Sequence, residues 1–170
     1  EAIPGLARVG IMLDADFDRW EADFRQNEAA GRTLGLELLP LKVRGPDDFA
    51  GAFKTARDSG AGAVILMQSF MLGTNGKLLA ELALANRMPT MFGTGERTFA
   101  RAGGLMNYGA SIPESWYGAA TYVHKSLRGA KPADLPIQQP KDFEFTVNRQ
   151  TADILGVTLP PALLLQAKEV

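Results

Sequence analysis

The chain has 170 residues, of which 46% are hydrophobic and 22% are charged, and this length and composition predict about one globular domain. Its 18 basic and 19 acidic residues leave a net charge of −1 without a basic run, which argues against a nucleic-acid-binding surface. No apolar stretch reaches the ~18 residues that a membrane span needs, and the absence of cysteine excludes disulfides and thiolate chemistry.

Short apolar segments alternate with helical patterns along the chain, which is typical of βαβ units around a parallel sheet. We therefore predict an α/β fold, a three-layer flavodoxin-like or Rossmann-like lobe with five parallel strands in the order 2-1-3-4-5. A later strand should add to the edge of that sheet. The predicted strands are Arg8–Leu13, Leu36–Val43, Ala63–Met67, Pro89–Phe92 and Leu105–Tyr108, and at the edge Phe143–Val147.

Helical periodicity fills the segments between the first four strands. We predict helices from Phe17 to about Leu34, from Pro46 onward, and from Asn75 to Arg87, each with one apolar face turned inward. The residues predicted to face inward are Phe17, Trp20, Phe24 and Leu34 in the first helix, Phe49, Phe53 and Ala56 in the second, and Leu78, Leu82 and Ala85 in the third.

A further helix follows the fifth strand. The segment Ser111–Glu114 has the pattern of a capping box, and Gly129 ends the helix. Its apolar stripe needs a partner surface, so we expect the helix either to fold back onto its own sheet or to pack against a second copy. We favour the second outcome, a homodimer through residues 112–128. The stripe consists of Trp116, Ala120, Val123 and Leu127.

Three prolines between Pro132 and Pro140 predict an extended strap after this helix. Near the end of the chain, Gly156 should stop one more helix and Pro161 should open another.

The acidic residues Asp14 and Asp16 at the end of the first strand allow several interpretations. A haloacid-dehalogenase-type phosphatase has two such acids, but it requires Gly-Thr where this chain has Phe17-Asp18, and a later acid where Tyr108 is followed by Gly109. The remaining interpretations are that the two carboxylates cap the next helix, or that they line a ligand cleft. The residues alone leave both open.

The sequence favours binding over catalysis. With one histidine, no cysteine and no Gly-x-Ser-x-Gly motif, catalytic triads and zinc sites are excluded. We expect no cofactor, no metal and no enzymatic turnover. Ligands of open parallel sheets bind beyond the carboxyl ends of the strands, and these ends carry carboxylates, hydroxyls, amides and aromatic rings suited to a small amino-acid-like ligand. The candidate ligand-binding residues are Asp14, Asp16, Phe17, Gln68, Ser69, Phe70, Thr94, Gly95, Glu96 and Tyr108.

Two segments, Arg101–Gly109 (Arg-Ala-Gly-Gly-Leu-Met-Asn-Tyr-Gly) and Phe143–Pro161, carry a family signature. They closely resemble the C-terminal half of the substrate-binding proteins of bacterial ABC importers, in the family that includes tryptophan and tyrosine binders. The resemblance implies one lobe of a type I periplasmic binding protein, a clamp whose two lobes close on a ligand by a hinge. It also implies an inner-membrane permease as partner and a periplasmic or lipoprotein-anchored location.

The same resemblance implies a division of the chain into three parts. Residues 1–110 form the C-terminal lobe, residues 111–140 are a helix and hinge-crossing strap that belong to the first lobe in the family, and residues 141–170 are a return strand and C-terminal helices. The chain is long enough for only one of the two lobes, so we expect a fragment that lacks the first lobe, and its start at Glu1 and not at Met predicts a processed or trimmed product. The alternative is the effector-sensing domain of a transcriptional regulator, which shares the bilobal fold.

Overall fold

A computed structural model describes residues 2–170, and Glu1, the first residue of the predicted lobe, lies outside the described residues. The chain forms one sheet of seven strands in the order β2-β1-β3-β4-β5-β6-β7, which confirms the predicted order 2-1-3-4-5. The strands are β1 (Arg8–Asp14), β2 (Glu37–Val43), β3 (Ala63–Leu66), β4 (Thr90–Phe92), β5 (Met106–Ala110), β6 (Phe143–Val147) and β7 (Lys168–Glu169).

The sheet is parallel except where β6 runs antiparallel to β5. Helices follow most of the strands, and a 3₁₀ turn at Pro132–Asp134 interrupts the predicted strap. The helices are α1 (Trp20–Thr33), α2 (Pro46–Asp58), α3 (Phe70–Thr74), α4 (Gly76–Ala85), α5 (Thr98–Arg101), α6 (Ile112–Leu127), α7 (Arg149–Leu155) and α8 (Pro161–Leu164). No helix within residues 2–170 is long and apolar enough to cross a bilayer.

Apolar side chains cover both faces of the sheet, which confirms the three-layer α/β fold. Successive side chains of β1 point to opposite faces, so Met12 joins the core under α2 and α4 while Ile11 joins the core under α1. The first core is built around Phe49 and Phe53 of α2 and Leu79 of α4. This double coverage explains why the central strands read as continuous apolar runs.

The ends of α1 differ from the prediction. Phe17 lies in the turn before the helix, where its N–H donates to the carbonyl of Asp14 at 3.2 Å. Leu34 is the residue after the last turn, and both side chains are exposed. The predicted inward positions were therefore wrong for Phe17 and Leu34, whereas Trp20 and Phe24 pack against the core.

The third predicted helix forms as α4, and a short helix that was not predicted, α3, precedes it. Asn75 separates α3 from α4, and the residues of α4 that are buried are Leu79, Ala80 and Ala83. Of the predicted stripe, Leu82 packs against the core, whereas Leu78 and Ala85 are exposed because the buried face of α4 is centred about one position further along the chain.

Phe143–Val147 forms β6 and adds to the edge of the five-stranded sheet beside β5, as predicted, and the two-residue strand β7 pairs outside it. One expectation for α6 needs correction. Ser111 is the N-cap of α6, but the capping-box hydrogen bond does not form among the described residues. The Ser111 hydroxyl instead donates to the Glu144 carboxylate at 3.2 Å.

Helix α6 stands away from the sheet. None of its residues, all of which the structure describes, is buried, and Trp116 and Leu127 are 74% and 84% exposed. The fold-back alternative was therefore wrong, and the favoured packing against a second copy stays a prediction. A single residue, Ser111, joins β5 to α6. The strap contacts α6 on another side, where the Tyr122 hydroxyl donates to the carbonyl of Pro136.

Candidate ligand-binding site

A cleft of about 450 Å³ opens beyond the carboxyl ends of β3 and β4. We call it the β3–β4 cleft. Five of the ten candidate residues line it, together with four residues that the sequence did not single out. The lining consists of Gln68, Ser69, Phe70, Gly73, Thr74, Phe92, Thr94, Glu96 and Thr98.

The end of β3 presents an aromatic ring to this cleft. Ser69 is the N-cap of α3, and its hydroxyl accepts a hydrogen bond from the N–H of Leu72 at 3.2 Å. Leu72 is fully buried in the core and holds the short helix in place. Phe70, on the other side of that helix, is 88% exposed. Burying such a side chain stabilises a protein or complex by about 1.5–3 kcal/mol, so the ring is available to a ligand.

The end of β4 presents a carboxylate. Thr94 is buried, and its hydroxyl accepts a hydrogen bond from the N–H of Glu96 at 3.3 Å. This local bond turns the chain so that the side chain of Glu96 is exposed. The described residues form no salt bridge with Glu96. The cleft therefore combines an exposed ring with a carboxylate that the described cations leave unpaired.

Gly95 shapes the cleft through its backbone. A Cβ atom at Gly95 would lie 2.1 Å from the carbonyl oxygen of Ala110, and one at Gly109 would lie 2.5 Å from the backbone nitrogen of Gly95. The loop after β4 and the end of β5 thus meet backbone to backbone. Two glycines at this crossing allow the loop to pass close enough to β5 to complete the cleft wall.

The remaining candidates lie outside the lining of this cleft. The Asp14 carboxylate accepts a hydrogen bond from the N–H of Asp16 at 3.1 Å, and Asp16 forms an exposed ion pair with Arg44 at 3.3 Å. The interpretation that these carboxylates cap α1 was wrong, because the N-cap of α1 is Arg19 and the structure shows no side-chain cap there among residues 2–170. Phe17 is half-exposed at the same end of β1.

Tyr108 belongs to an aromatic group on β5 and β6. Its ring stacks on Phe143, with centroids 5.8 Å apart and planes at 14°, and it meets Phe145 edge-on at 6.3 Å. The structure therefore brings together the candidates at the ends of β3 and β4, and places those of β1 and β5 on either side.

Sequence reasoning missed Gly73, Thr74 and Thr98, which the helices carry to the cleft. Ser69, three residues before Leu72, has the pattern of an N-cap, and this signal could have placed the helix start at Phe70. Phe92, the last residue of the predicted fourth strand, is mostly buried and packs against Phe99, edge-on at 5.6 Å.

A second polar cluster lies behind the loop that carries Glu96. Glu144 on β6 is 16% exposed, and its carboxylate contacts Lys168 Nζ at 3.1 Å, Ser111 Oγ at 3.2 Å and Arg97 Nε at 3.5 Å. The hydrogen bond from Lys168 contributes most to holding the pKa of Glu144 below its usual value. The hydrogen bond from Ser111 and the positive charges of Lys168 and Arg97 lower this pKa further. The carboxylate is thus charged at neutral pH and joins three separate parts of the chain.

A mostly parallel α/β sheet with a cleft beyond its strand ends, and with an unpacked helix leaving from that same edge, has the architecture of one lobe of a periplasmic binding protein. The model of the ABC transporter substrate-binding protein family matches residues 1–170, so this chain belongs to that family. Comparison with curated protein sequences gave no match.

Solved structures share the fold at low sequence identity. A conserved domain protein from Vibrio cholerae has a TM-score of 0.87 at 17% identity, with 99% of this chain and 56% of that chain covered. An ABC domain from Streptococcus pneumoniae in complex with L-Trp has a TM-score of 0.84 at 19% identity, with 99% and 58% covered. A substrate-binding protein with adhesive properties from Clostridium difficile, in an open, ligand-free form, has a TM-score of 0.75 at 14% identity, with 99% and 56% covered. This chain spans a little more than half the length of these structures.

Proposed function

We propose that this chain forms the C-terminal lobe of the solute-binding component of a bacterial ABC importer, and that it binds an amino-acid-like solute with an aromatic side chain. The observation that carries the proposal is the juxtaposition of the exposed Phe70 ring and the Glu96 carboxylate around one cleft. Membership in the substrate-binding family and the L-Trp complex of a structural neighbour support it.

The chemistry of the cleft suits such a solute. Phe70 offers a face for stacking with an aromatic or apolar side chain, and Glu96 offers a negative charge to an ammonium group. The hydroxyls of Ser69 and Thr74 and the amide of Gln68 are hydrogen-bonding groups for a carboxylate or an amide. The described lining holds no nucleophile with a base beside it, so we propose binding and delivery without turnover.

The proposal extends to the whole protein. Residues 1–110 form the lobe, residues 111–140 pass through the hinge, and residues 141–170 return to the same lobe. A first lobe would close over the β3–β4 cleft and present the loaded protein to a membrane permease outside the cytoplasm, in the periplasm or anchored by a lipid. One lobe supplies half of such a site, so binding is expected to be tight only when both lobes are present.

The proposal is tested by calorimetry on the two-lobed protein with L-tryptophan and with indole-3-propionate, which lacks the ammonium group. We expect Phe70→Ala to weaken the binding of both by tenfold or more, since it removes about 1.5–3 kcal/mol of apolar contact. Glu96→Gln should weaken L-tryptophan several-fold and leave indole-3-propionate unchanged, because only the first carries the positive charge.

Leu34→Ala serves as the control, since Leu34 is exposed and lies outside the cleft lining. The affinity of Asp14→Ala for the same solutes tests whether the end of β1 belongs to the site, because weaker binding than in the control would include it and equal binding would exclude it. Affinities that stay at the control level in both Phe70→Ala and Glu96→Gln would exclude the β3–β4 cleft as the solute site.

We also propose that the α6 stripe is an interaction surface, and that the 170-residue chain alone forms a homodimer through residues 112–128. Trp116, Val123 and Leu127 are exposed on one side of α6. Each large side chain left in water forgoes roughly 1.5–3 kcal/mol of burial. Light scattering should show a dimer whose dissociation Leu127→Glu promotes. Lys125→Glu, on the opposite side of the helix, should leave it intact. A strict monomer with Trp116 accessible to a quencher would contradict the dimer.

A further inference from the structure

The Glu144 side chain contacts two parts of the chain, namely Ser111, where the chain leaves the sheet after β5, and Lys168 on the edge strand β7. Ser111, whose hydroxyl donates to Glu144, is the single residue between β5 and α6. Its backbone N–H donates to the carbonyl of Asp142 at 2.8 Å, so the outgoing segment and the returning segment are paired. Lys168, on β7, completes the ion pair from the other side.

The same carboxylate reaches the wall of the β3–β4 cleft. Arg97 Nε lies 3.5 Å from Glu144, and Arg97 directly follows Glu96 in the loop after β4. The glycines at 95 and 109 hold that loop against the end of β5. A further contact comes from the residue after β6, where Asn148 Nδ2 donates to the carbonyl of Ala100 at 2.8 Å. Residues 94–101 therefore rest on the elements that enter and leave the hinge.

We infer that Glu144 is a positioning residue that couples the loop at residues 94–98 to the two hinge segments at residues 110–112 and 142–144. Glu144 lies outside the lining of the cleft, so it acts through Arg97 and Ser111 and does not touch the solute. A shift of the loop on solute binding would move the Arg97 guanidinium and, through the shared carboxylate, the outgoing strand. The inference rests on the proposed function in naming residues 94–98 as the wall of a solute site and residues 110–112 and 142–144 as hinge segments.

Two backbone amides report on the two ends of this link without any ligand. The Glu96 N–H is bonded to Thr94 Oγ1 at 3.3 Å, and the Ser111 N–H is bonded to the carbonyl of Asp142 at 2.8 Å. The Val64 N–H, bonded to the carbonyl of Pro89 at 2.9 Å in the centre of the sheet, reports on global unfolding.

Residue-resolved hydrogen exchange on the full chain tests the inference. We expect Glu144→Gln to speed exchange about tenfold at both Glu96 and Ser111, as loss of charge-assisted hydrogen bonds implies, and to change Val64 less than twofold. Glu169→Gln, which removes the neighbouring ion pair with Arg149 at 3.1 Å, is the matched control and should leave both reporter amides unchanged.

Acceleration of only one reporter amide, or equal acceleration of all three, would overturn the coupling. If Glu144→Gln does not fold, Ser111→Ala removes one arm of the link and should speed exchange at Glu96 about threefold. An unchanged rate at Glu96 in that variant would overturn the inference equally. Because no solute is present, this result is independent of whether the solute proposal holds.

Discussion

Replacing Gly109 with alanine is expected to destabilise the lobe by about 2–4 kcal/mol, which is a large part of the stability of a domain of this size. The added Cβ would lie 2.5 Å from the nitrogen of Gly95 and 2.6 Å from the carbonyl carbon of Thr94. Both neighbours are backbone atoms, so no change of rotamer can relieve the overlap, and the loop after β4 must move. Urea unfolding should show a lower midpoint, and the variant should bind solute weakly even where it is folded.

Gly51→Ala is the matched control for this prediction. Gly51 lies within α2, and nothing stands within 4 Å of the position of its Cβ. Alanine is a better helix former than glycine, so the control should be more stable than the parent chain by about 0.5–1 kcal/mol. A Gly109→Ala variant as stable as the parent would show that the loop and β5 do not meet as described.

Gly104→Ala is expected to be destabilising by about 1–3 kcal/mol, but for a reason that a second substitution can remove. The added Cβ would lie 2.1 Å from Cε1 of Phe99, which is a side-chain atom. Phe99 is buried against Phe92, so its ring cannot simply turn away. The double variant Gly104→Ala with Phe99→Leu should lose less stability than the sum of the two single variants, because the smaller side chain makes room for the methyl group.

The measurement is a double-mutant cycle of unfolding free energies, with a favourable coupling of about 1 kcal/mol or more expected. Additive effects would contradict direct contact between position 104 and the ring. The same Phe99→Leu substitution combined with Gly109→Ala should give no rescue, since the obstacle at Gly109 is backbone.

The two segments that carry the family resemblance meet in the structure. Asn107 in the first is fully buried, and its Oδ1 accepts a hydrogen bond from the N–H of Ala100 at 2.8 Å. Asn148 and Thr151 in the second donate to the carbonyls of Ala100 and Gly103 at 2.8 and 2.9 Å. Residues of the two segments therefore bind α5 to β5 and α7 through hydrogen bonds. Neither segment contributes a polar group to the lining of the β3–β4 cleft.

The alternation of strands and helices, and with it the strand order, could be predicted from the sequence because each depends on local chemistry. Apolar runs such as Ala63–Leu66 have the length of a buried strand, and parallel strands joined by right-handed crossovers allow few orders. Gly156, with φ of 71°, ends α7 as predicted, since glycine tolerates the left-handed conformation that terminates helices.

Features that depend on distant parts of the chain could not be predicted in this way. The two-residue strand β7 consists of Lys168 and Glu169 and exists only because β6 offers it an edge. Ser111 has a capping-box sequence, yet its hydroxyl donates to Glu144, which is 33 residues away. The candidate site shows the same limit: periodicity placed ten residues at strand ends, but only the packing of α3, the glycine crossing and the loop after β4 brought five of them around one cleft.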